Sequence, residues 1–294
     1  MPIAKSIYDR RRRPLDIIAH ILIYLCASVS IILLAGIVGY VTYRGVAAIN
    51  LRFLTTVPSA IKGTFGIAGN IVNTIYIIIL TLLIAVPFGV GAAIYLNEYA
   101  RPGKIVRLIE FTTETLAGLP SITFGLFGYV FFGIALKLGY SILTGALTLS
   151  LMVLPLITRN TQEALKTVPV GYRSGALGIG ATKWYMIRTI LLPSAIPGII
   201  TGIILAIGRI VGESAALLFT AGSGFLLPKL GQYGEGLFQK IMQPGGTLTI
   251  QMFLSMENAK YDEAFGIALV LLIIVFGINM LTKYLSNKFN VNKQ

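Results

Sequence analysis

Two residues of opposite charge, Arg209 and Glu213, lie inside an otherwise apolar stretch, LAIGRIVGESAALLF (205–219). A guanidinium is always charged in proteins, and its planar fork matches a tetrahedral oxyanion through two parallel hydrogen bonds. If the stretch is helical, the spacing of four residues puts both side chains on one face, where Glu213 can orient and moderate Arg209. The two residue types suit the transient binding of an anion, although their spacing does not name it.

A structural ion pair is the alternative interpretation of these two charges. Each charge costs about 2.5–3.5 kcal/mol at the centre of a membrane helix, and Arg before Glu is the less favourable order for a helical pair. Replacing a buried pair with apolar residues is often neutral or stabilising, so stability is a weak reason to keep one. The pattern therefore favours a functional site. A neighbouring stripe of small residues, Gly208, Gly212 and Ala216, predicts close packing against another helix rather than contact with lipid.

The composition is that of a membrane protein. Of the 294 residues, 55% are hydrophobic and 12% are charged, and the mean hydropathy is +0.82; a soluble domain carries about 25% charged residues. One Cys and one His exclude a disulfide framework and a Cys/His-ligated metal cluster. The net charge of +13 is better explained by basic cytoplasmic loops than by binding of nucleic acid.

Apolar runs of about 20 residues predict transmembrane helices. We expect an all-α membrane protein with six spans, at about 17–41, 70–97, 112–136, 139–158, 193–221 and 264–285. With both termini in the cytoplasm, the inner segments hold 16 Lys and Arg residues and the outer segments hold 7, as the positive-inside rule requires. The protein is therefore expected to lie in the cytoplasmic (inner) membrane as a multi-pass protein.

The chain divides into a basic cytoplasmic N-terminal segment (1–16) and a single membrane domain (17–294) with its main core at about 70–285. The first span is too long for a cleaved signal peptide. In the outer loop 222–263, the stretch LTIQMFLSM (248–256) is too short to span and predicts a re-entrant or interfacial segment.

The sequence lacks the motifs of ATP binding and of catalysis. It contains no G-x-x-x-x-G-K-[ST] phosphate loop, G-x-S-x-G elbow, H-E-x-x-H pair or dinucleotide fingerprint. The spans hold few ionisable groups, whereas a proton-driven pump usually needs a chain of them. Glu110 and Glu114 are expected at the cytoplasmic interface, outside any pathway. We therefore expect no enzyme activity, no bound metal or cofactor, and an energy source on another polypeptide.

The cytoplasmic loop GYRSGALGIGATKWYMIRTILLP (171–193) has a pattern of its own. It predicts a helix at 172–178, a break at Gly178 and Gly180, and a second helix at 182–191, because glycine interrupts helices and admits positive φ. Ala and Leu are expected on one side and Arg and Lys on the other. Such an elbow suits docking into a groove on a partner; an ordinary amphipathic surface loop is the alternative.

The stretch GLPS (118–121) places Pro120 inside the third predicted span. Proline frees a backbone carbonyl and kinks a helix, and Ser121 or Thr123 can satisfy the loosened backbone or line a path. A gate and a simple packing kink are both compatible with this pattern.

The loop resembles the signature of ABC-importer permeases, E-A-A-x3-G-x9-I-x-L-P. The pattern falls on seven residues, Ser174, Gly175, Ala176, Gly180, Ile190, Leu192 and Pro193, and departs from the signature at Ser174 and Gly175. Three further stretches, AIYLNEYA (93–100), LAGLPSITFGLFG (116–128) and GRIVGESAALLFTAG (208–222), are similar to the permeases of phosphate importers, most closely to the PstA type.

The resemblance implies a type I ABC importer of inorganic phosphate. In that family a second permease (PstC-type) completes the pore, two copies of an ATPase (PstB-type) bind ATP and Mg and dock on the cytoplasmic loop, and an extracytoplasmic phosphate-binding protein (PstS-type) delivers the anion. Glu213, if ionised, is expected to accept a hydrogen bond from protonated phosphate and to repel sulfate. A sulfate or molybdate importer is the alternative. An intramembrane enzyme or a self-sufficient carrier is disfavoured, because the sequence shows neither a nucleophile and base nor an inverted half-repeat.

Overall fold

A computed structural model describes residues 14–58, 65–227 and 236–289 of the chain. The predicted basic segment 1–16 lies almost wholly outside these ranges. Within them the chain is helical, with no β-strand. The helices are α1 (Pro14–Val46), α2 (Leu51–Thr55), α3 (Ala68–Ile94), α4 (Lys104–Ala117), α5 (Ser121–Gly128), α6 (Ile142–Lys166), α7 (Val170–Gly178), α8 (Lys183–Met186), α9 (Leu192–Gly212), α10 (Ala215–Thr220), α11 (Leu237–Ile241), α12 (Leu248–Glu257) and α13 (Tyr261–Phe289).

Three of these helices continue through a π-helical turn. The π turns are Tyr95–Tyr99 after α3, Tyr129–Ala135 after α5, and Ile187–Leu191, which joins α8 to α9. Five helical segments in the described ranges are long and apolar enough to cross a membrane: Ile17–Val46, Ala68–Tyr99, Ile142–Lys166, Lys183–Gly212 and Tyr261–Tyr284. This confirms the prediction of a multi-pass, all-α membrane protein.

The third predicted span is a pair of helices rather than one. Helix α4 ends at Ala117, and α5 begins at Ser121 after a bend of 103°. Pro120 lies at the N-terminus of α5 in an extended conformation (φ −59°, ψ 141°), because proline offers no N–H to the preceding turn and restricts the residue before it. The predicted kink at Pro120 is therefore a complete break.

Helix α6 is the centre of the bundle, and small residues let α3 and α9 approach it closely. A Cβ placed on Gly89 of α3 would lie 2.8 Å from Ile157, and one on Gly202 of α9 would lie 2.7 Å from the Cβ of Asn160. Lipid offers no hydrophobic drive for helix association, so close van der Waals packing of this kind holds membrane helices together. The α3–α6–α9 packing fixes the frame of the molecule.

The bundle has two ends, which we name by their residues. The basic end carries the α3–α4 connection (100–103) and the loop 167–182. The glycine-rich end carries the described parts of 47–67 and 221–260, with α11 and α12. Helix α1 is attached mainly near the glycine-rich end, where Gly45 packs on Phe265 and Leu269 and Arg44 pairs with Asp262 at 3.2 Å; residues 17–40 are exposed in the single chain.

Lys240 of α11 is buried at the glycine-rich end. The residue is 2% exposed, and its Nζ makes no hydrogen bond within the described residues. Burial lowers the pKa of the Lys240 ammonium from its ordinary value of 10.5, because a charge in an apolar surrounding is poorly solvated.

Gly89→Ala should destabilise the folded protein by about 1–3 kcal/mol, because its methyl group would force α3 away from Ile157. Gly91→Ala, two residues further along the same helix, is the matched control: nothing lies within 4 Å of its Cβ position. Thermal unfolding in detergent compares the two. Equal unfolding temperatures would contradict the close packing described above.

Lys240→Met should stabilise the protein by about 1–3 kcal/mol near neutral pH, because it removes a buried, unpartnered amine of similar length. Since the pKa of Lys240 is lowered on folding, the unfolded state binds more protons, and the stability of the unmodified protein rises with pH up to about 10.5. The advantage of Lys240→Met should therefore shrink as the pH is raised toward that value. Denaturation at several pH values measures it, and a constant advantage would contradict the explanation.

Candidate functional site

Arg209 lies on α9 at the level of the middle of α6. Gly198 packs on Ala164 and Gly202 packs on Asn160. Helices α9 and α6 are therefore antiparallel, and a shift of four residues along α9 corresponds to a shift of four residues in the opposite direction along α6. Seven residues beyond Gly202, Arg209 is therefore level with Val153. Its side chain is half-buried and faces a cavity of about 290 Å³. Arg209 therefore lies within the helical bundle, and its role in an anion pathway stays a prediction.

The cavity lies between α4, α6 and α9 and carries groups of both charges. Its polar lining residues are Glu110, Thr113, Glu114, Arg159, Asn160, Gln162, Glu163, Lys166 and Arg209. Arg159 donates to Glu114 at 3.0 Å, and both side chains are more than 60% exposed. A pair so open to water is weakly held, so Arg159 can exchange the Glu114 carboxylate for a bound anion.

Arg159, Glu110 and Glu114 are residues that the sequence analysis did not assign to this site. Glu110 and Glu114 were expected outside any pathway, whereas both line the same cavity as Arg209. Glu114 and Arg159 are 45 residues apart, and only the packing of α4 on α6 brings them together. The one sequence signal for Arg159 is a charge directly after the end of the predicted span 139–158.

Glu213 does not share a helix face with Arg209, and the predicted i,i+4 arrangement is wrong. Helix α9 ends at Gly212, and Glu213 is extended (φ −81°, ψ 124°). Its Oε1 accepts a hydrogen bond from the Ala216 N–H at 3.0 Å, so the carboxylate caps the short helix α10. No ion pair joins Arg209 to Glu213 in the described chain, and Glu213 is not among the residues that line the cavity.

The small-residue stripe beside Arg209 is open in the single chain. Nothing lies within 4 Å of a Cβ placed on Gly208 or Gly212, so the close approach of another helix that we expected there is not found within the described residues. Ala216 is separated from the stripe by the end of α9. It is fully buried and contacts Gly125 of α5 instead, whose Cβ position lies 2.8 Å from the Ala216 Cα.

The proposed gate residues surround the break between α4 and α5. The Thr123 N–H donates to the Pro120 carbonyl at 3.0 Å, which begins the turn of α5. Pro120 and Thr123 are exposed and Ser121 is half-buried. None of the three lines the cavity of Arg209, but Ala117, the last residue of α4, does. The break is therefore at the edge of the cavity.

The loop at the basic end has the predicted helix–glycine–helix form. Helix α7 ends at Gly178, and Gly180 has a φ of +86°, a conformation that glycine adopts without strain. The second helix, capped by the Thr182 hydroxyl at 3.3 Å from the Tyr185 N, does not stop at the membrane. It continues from Lys183 to Gly212 as one segment of 30 residues, so the loop and the fifth span are rigidly joined.

The signature positions divide between the surface and the base of the loop. Ser174 and Gly175 are exposed; the Ser174 hydroxyl donates only to carbonyls of its own helix, and nothing lies within 4 Å of a Cβ on Gly175. Ala176 is 5% exposed and packs in a small apolar cluster. Ile190, Leu192 and Pro193 are half-buried where the loop meets the bundle.

The predicted division of the loop into an apolar and a basic side is wrong. Arg173 points inward, where it pairs with Glu98 at 3.1 Å, whereas Leu177 is exposed. The exposed apolar residues of the loop are Val170, Tyr172, Leu177, Ile179, Trp184 and Tyr185. Exposed apolar side chains are typical of interaction sites when they form one patch, so these residues are candidates for contact with a partner.

Comparisons with known proteins agree with this architecture. Residues 85–290 match the family described as binding-protein-dependent transport system inner membrane component. The chain is 36% identical over 283 residues to the probable ABC transporter permease protein YqgI of Bacillus subtilis (strain 168), covering 93% of this chain and 96% of that protein. It is 34% identical over 223 residues to the phosphate transport system permease protein PstA 2 of Mycobacterium tuberculosis (strain CDC 1551 / Oshkosh), covering 76% and 73%.

Among solved structures, the fold is similar to that of a chain in a bacterial alginate ABC transporter bound to an alginate-loaded periplasmic protein. The TM-score is 0.67 at 16% identity, over 94% of this chain and 97% of the other. At this identity the likeness shows the fold alone. Since the family match spans most of the chain and permeases match at 34–36% identity, the chain belongs to the binding-protein-dependent transport system inner membrane components, as a PstA-like permease subunit of an ABC importer.

Proposed function

We propose that this permease carries inorganic phosphate. The observation that supports the proposal most directly is the pair of guanidinium groups, Arg159 and Arg209, in one cavity that extends along α6 from Met152 to its last residue, Lys166. The chain is also similar to a PstA protein over 76% of its length. A guanidinium fork fits the oxygen atoms of phosphate. The carboxylate of Glu114, already paired with Arg159, keeps the site from holding the anion too tightly for release.

The basic end of the bundle faces the cytoplasm in this proposal, and both termini lie there. The positive-inside bias of the sequence supports this orientation. The exposed apolar residues of α7 and α8 dock on an ATPase of the PstB type, two copies of which bind ATP and Mg. This chain itself holds no cofactor and performs no hydrolysis.

The other partners are those that the resemblance to PstA-type permeases implies, and the open surfaces of the chain suggest where each of them docks. A second, PstC-type permease covers the face of α9 that carries Gly208 and Gly212, where a close helix approach is sterically free. The two permeases then enclose Arg209 between them. An extracytoplasmic, PstS-type phosphate-binding protein docks at the glycine-rich end.

Glu213 acts further along the path than Arg209. Its Oε1 is used by the Ala216 N–H, and the second carboxylate oxygen is free to accept the hydrogen bond of a protonated phosphate. Sulfate carries no proton near neutral pH and would meet only the negative charge. Pro120, Ser121 and Thr123, at the break between α4 and α5, form a gate beside the cavity.

Arg209→Ala should reduce ATP-dependent phosphate uptake at least about tenfold, because the loss of a charged hydrogen-bond donor to an anion costs about 1.5–3 kcal/mol. Arg209→Lys, which keeps the charge but not the fork, should be intermediate. Uptake of labelled phosphate into vesicles holding the whole importer measures both, with sulfate and molybdate as competitors. Arg44→Lys, which alters an exposed ion pair of α1, is the control. Undiminished uptake by both Arg209 variants would remove Arg209 from the pathway.

Glu213→Gln should lower the preference for phosphate over sulfate without unfolding α10, because the amide oxygen can still accept from the Ala216 N–H. Glu213→Ala should lower the preference and also destabilise the protein by about 1 kcal/mol through loss of the cap. Uptake ratios and thermal unfolding separate the two effects. A phosphate-to-sulfate ratio that Glu213→Gln leaves unchanged would exclude this role.

A further inference from the structure

Helix α7 of the basic loop is held by little apolar contact. Of its nine residues, Val170–Gly178, only Ala176 is buried. Three residues, 167–169, connect it to the end of α6. A single buried methyl group contributes about 1 kcal/mol, which is too little to fix the direction of a helix. The orientation of α7 must therefore depend on polar contacts.

Arg173 supplies these contacts from the inner face of α7. Its Nη1 donates to the Val168 carbonyl at 2.9 Å, and its Nη2 donates to the Leu165 carbonyl at 2.8 Å. These carbonyls lie at the C-terminus of α6, the negative end of the helix dipole, where a cation is favoured. The guanidinium thus connects α7 to the end of α6.

The same guanidinium also binds the second span. Its Nη2 and Nε lie 3.1 and 3.3 Å from the Glu98 Oε1, and the Asn97 amide donates to that oxygen at 2.6 Å. The Arg173 and Glu98 side chains are 20% and 6% exposed. Removing one member of a buried pair leaves an uncompensated charge and is costly, so this contact differs from the chain's exposed pairs. Glu98 also lies in a π-helical turn, a feature frequent at functional sites.

The other end of the second span is bonded to the glycine-rich end. Asn70 and Asn73 donate to the Gly246 carbonyl at 3.0 and 3.2 Å. The Leu248 N–H, at the start of α12, donates to the Thr74 hydroxyl at 3.0 Å. One helical segment of 32 residues, Ala68–Tyr99, about 48 Å long, therefore contacts α7 at one end and α12 at the other.

We propose that the Glu98–Arg173 ion pair is a joint that transmits movement of α7 along the second span to α12. The proposal rests on the function proposed above for the loop, the docking of an ATPase. Without the pair, α7 stays attached to α6 through the carbonyl contacts of Arg173 but is released from the second span. Glu98 and Arg173 are positioning residues in this scheme, and neither touches the transported anion.

The test follows α12 directly with a thiol reporter. Cys26 is the one cysteine of the sequence, so Cys26→Ala gives a cysteine-free parent. Ser255→Cys then places a thiol of nearly equal size on α12, where the side chain is 2% exposed. In the complete importer in vesicles, a membrane-impermeant maleimide labels this cysteine with or without trapping by ATP, Mg and vanadate.

In the parent, trapping should raise the labelling rate at least about fivefold, because a buried thiol reacts only when α12 shifts. In Glu98→Gln, whose amide oxygen can still accept a hydrogen bond but which carries no charge, the increase should fall by at least about half. ATP hydrolysis should stay within about twofold of the parent, since the docking of the ATPase on α7 and α8 is intact. An unchanged increase in Glu98→Gln would overturn the proposal. A parent protein whose labelling does not respond to trapping would also overturn the proposal. A Glu98→Gln variant that loses ATP hydrolysis together with the labelling response would do the same, because the ion pair would then be needed for docking of the ATPase itself.

Two further variants make the result specific. Arg101 lies three residues from Glu98, and its exposed side chain forms no ion pair within the described residues. Arg101→Gln therefore removes a nearby charge and should leave the labelling response unchanged. If Glu98→Gln does not assemble, Glu98→Asp decides, because it keeps the charge and shortens the side chain by one methylene. A diminished response supports the joint, and a full response overturns it.

The readout does not depend on the cargo. Phosphate uptake is measured on the same vesicles, so a parent in which trapping moves α12 but phosphate does not enter would refute phosphate as the substrate and leave the joint supported. If the parent imports phosphate while Glu98→Gln keeps the full labelling response, phosphate is supported as the substrate and the joint is refuted.

Discussion

The structure depends on the close packing of α3 and α9 against α6. A bilayer does not drive helices together as water does, so attraction between spans must come from van der Waals contact and from polar groups satisfied inside the protein. Glycine at Gly89 and Gly202 lets the helix axes approach within reach of side chains on α6, and the Ser150 hydroxyl donates to backbone carbonyls on both helices of the α3–α6 pair. The level of Arg209, the walls of its cavity and the base of the basic loop are all set by this packing.

The breaks between helices are as informative as the helices. At Pro120 and at Glu213 the backbone leaves the helix within a predicted span, where unsatisfied polar groups would be costly. The Glu213 carboxylate satisfies an N–H of α10, and α5 and α10 bury each other through Gly125 and Ala216. Two short helices thus pack closely against each other beside the cavity.

Several features were predicted correctly because their causes are local. Hydropathy identified the long apolar helices, proline predicted a kink at residue 120 where the structure has a full break, and Gly180 predicted the turn of the basic loop. The cost of a charge among apolar residues singled out Arg209, whose role in the pathway stays a prediction. The incorrect predictions extended a pattern over a break in the helix. The apolar run predicted a continuous helix through Glu213, but α9 ends at Gly212 and the Glu213 carboxylate caps α10. The inward direction of Arg173 was missed because periodicity on a nine-residue helix does not tell which face meets the bundle.

The sequence alone determined the class of protein, the approximate spans, the elbow of the basic loop and the likeness to PstA-type permeases, since composition, chain breakers and short motifs are all written in neighbouring residues. Only the tertiary structure decided which charges meet. Glu114 joins Arg159 across 45 residues, and Glu98 joins Arg173 across 75. The physical reason is that an ion pair depends on distances of about 3–4 Å between side chains, and these distances follow from how whole helices pack, which no stretch of neighbouring residues contains.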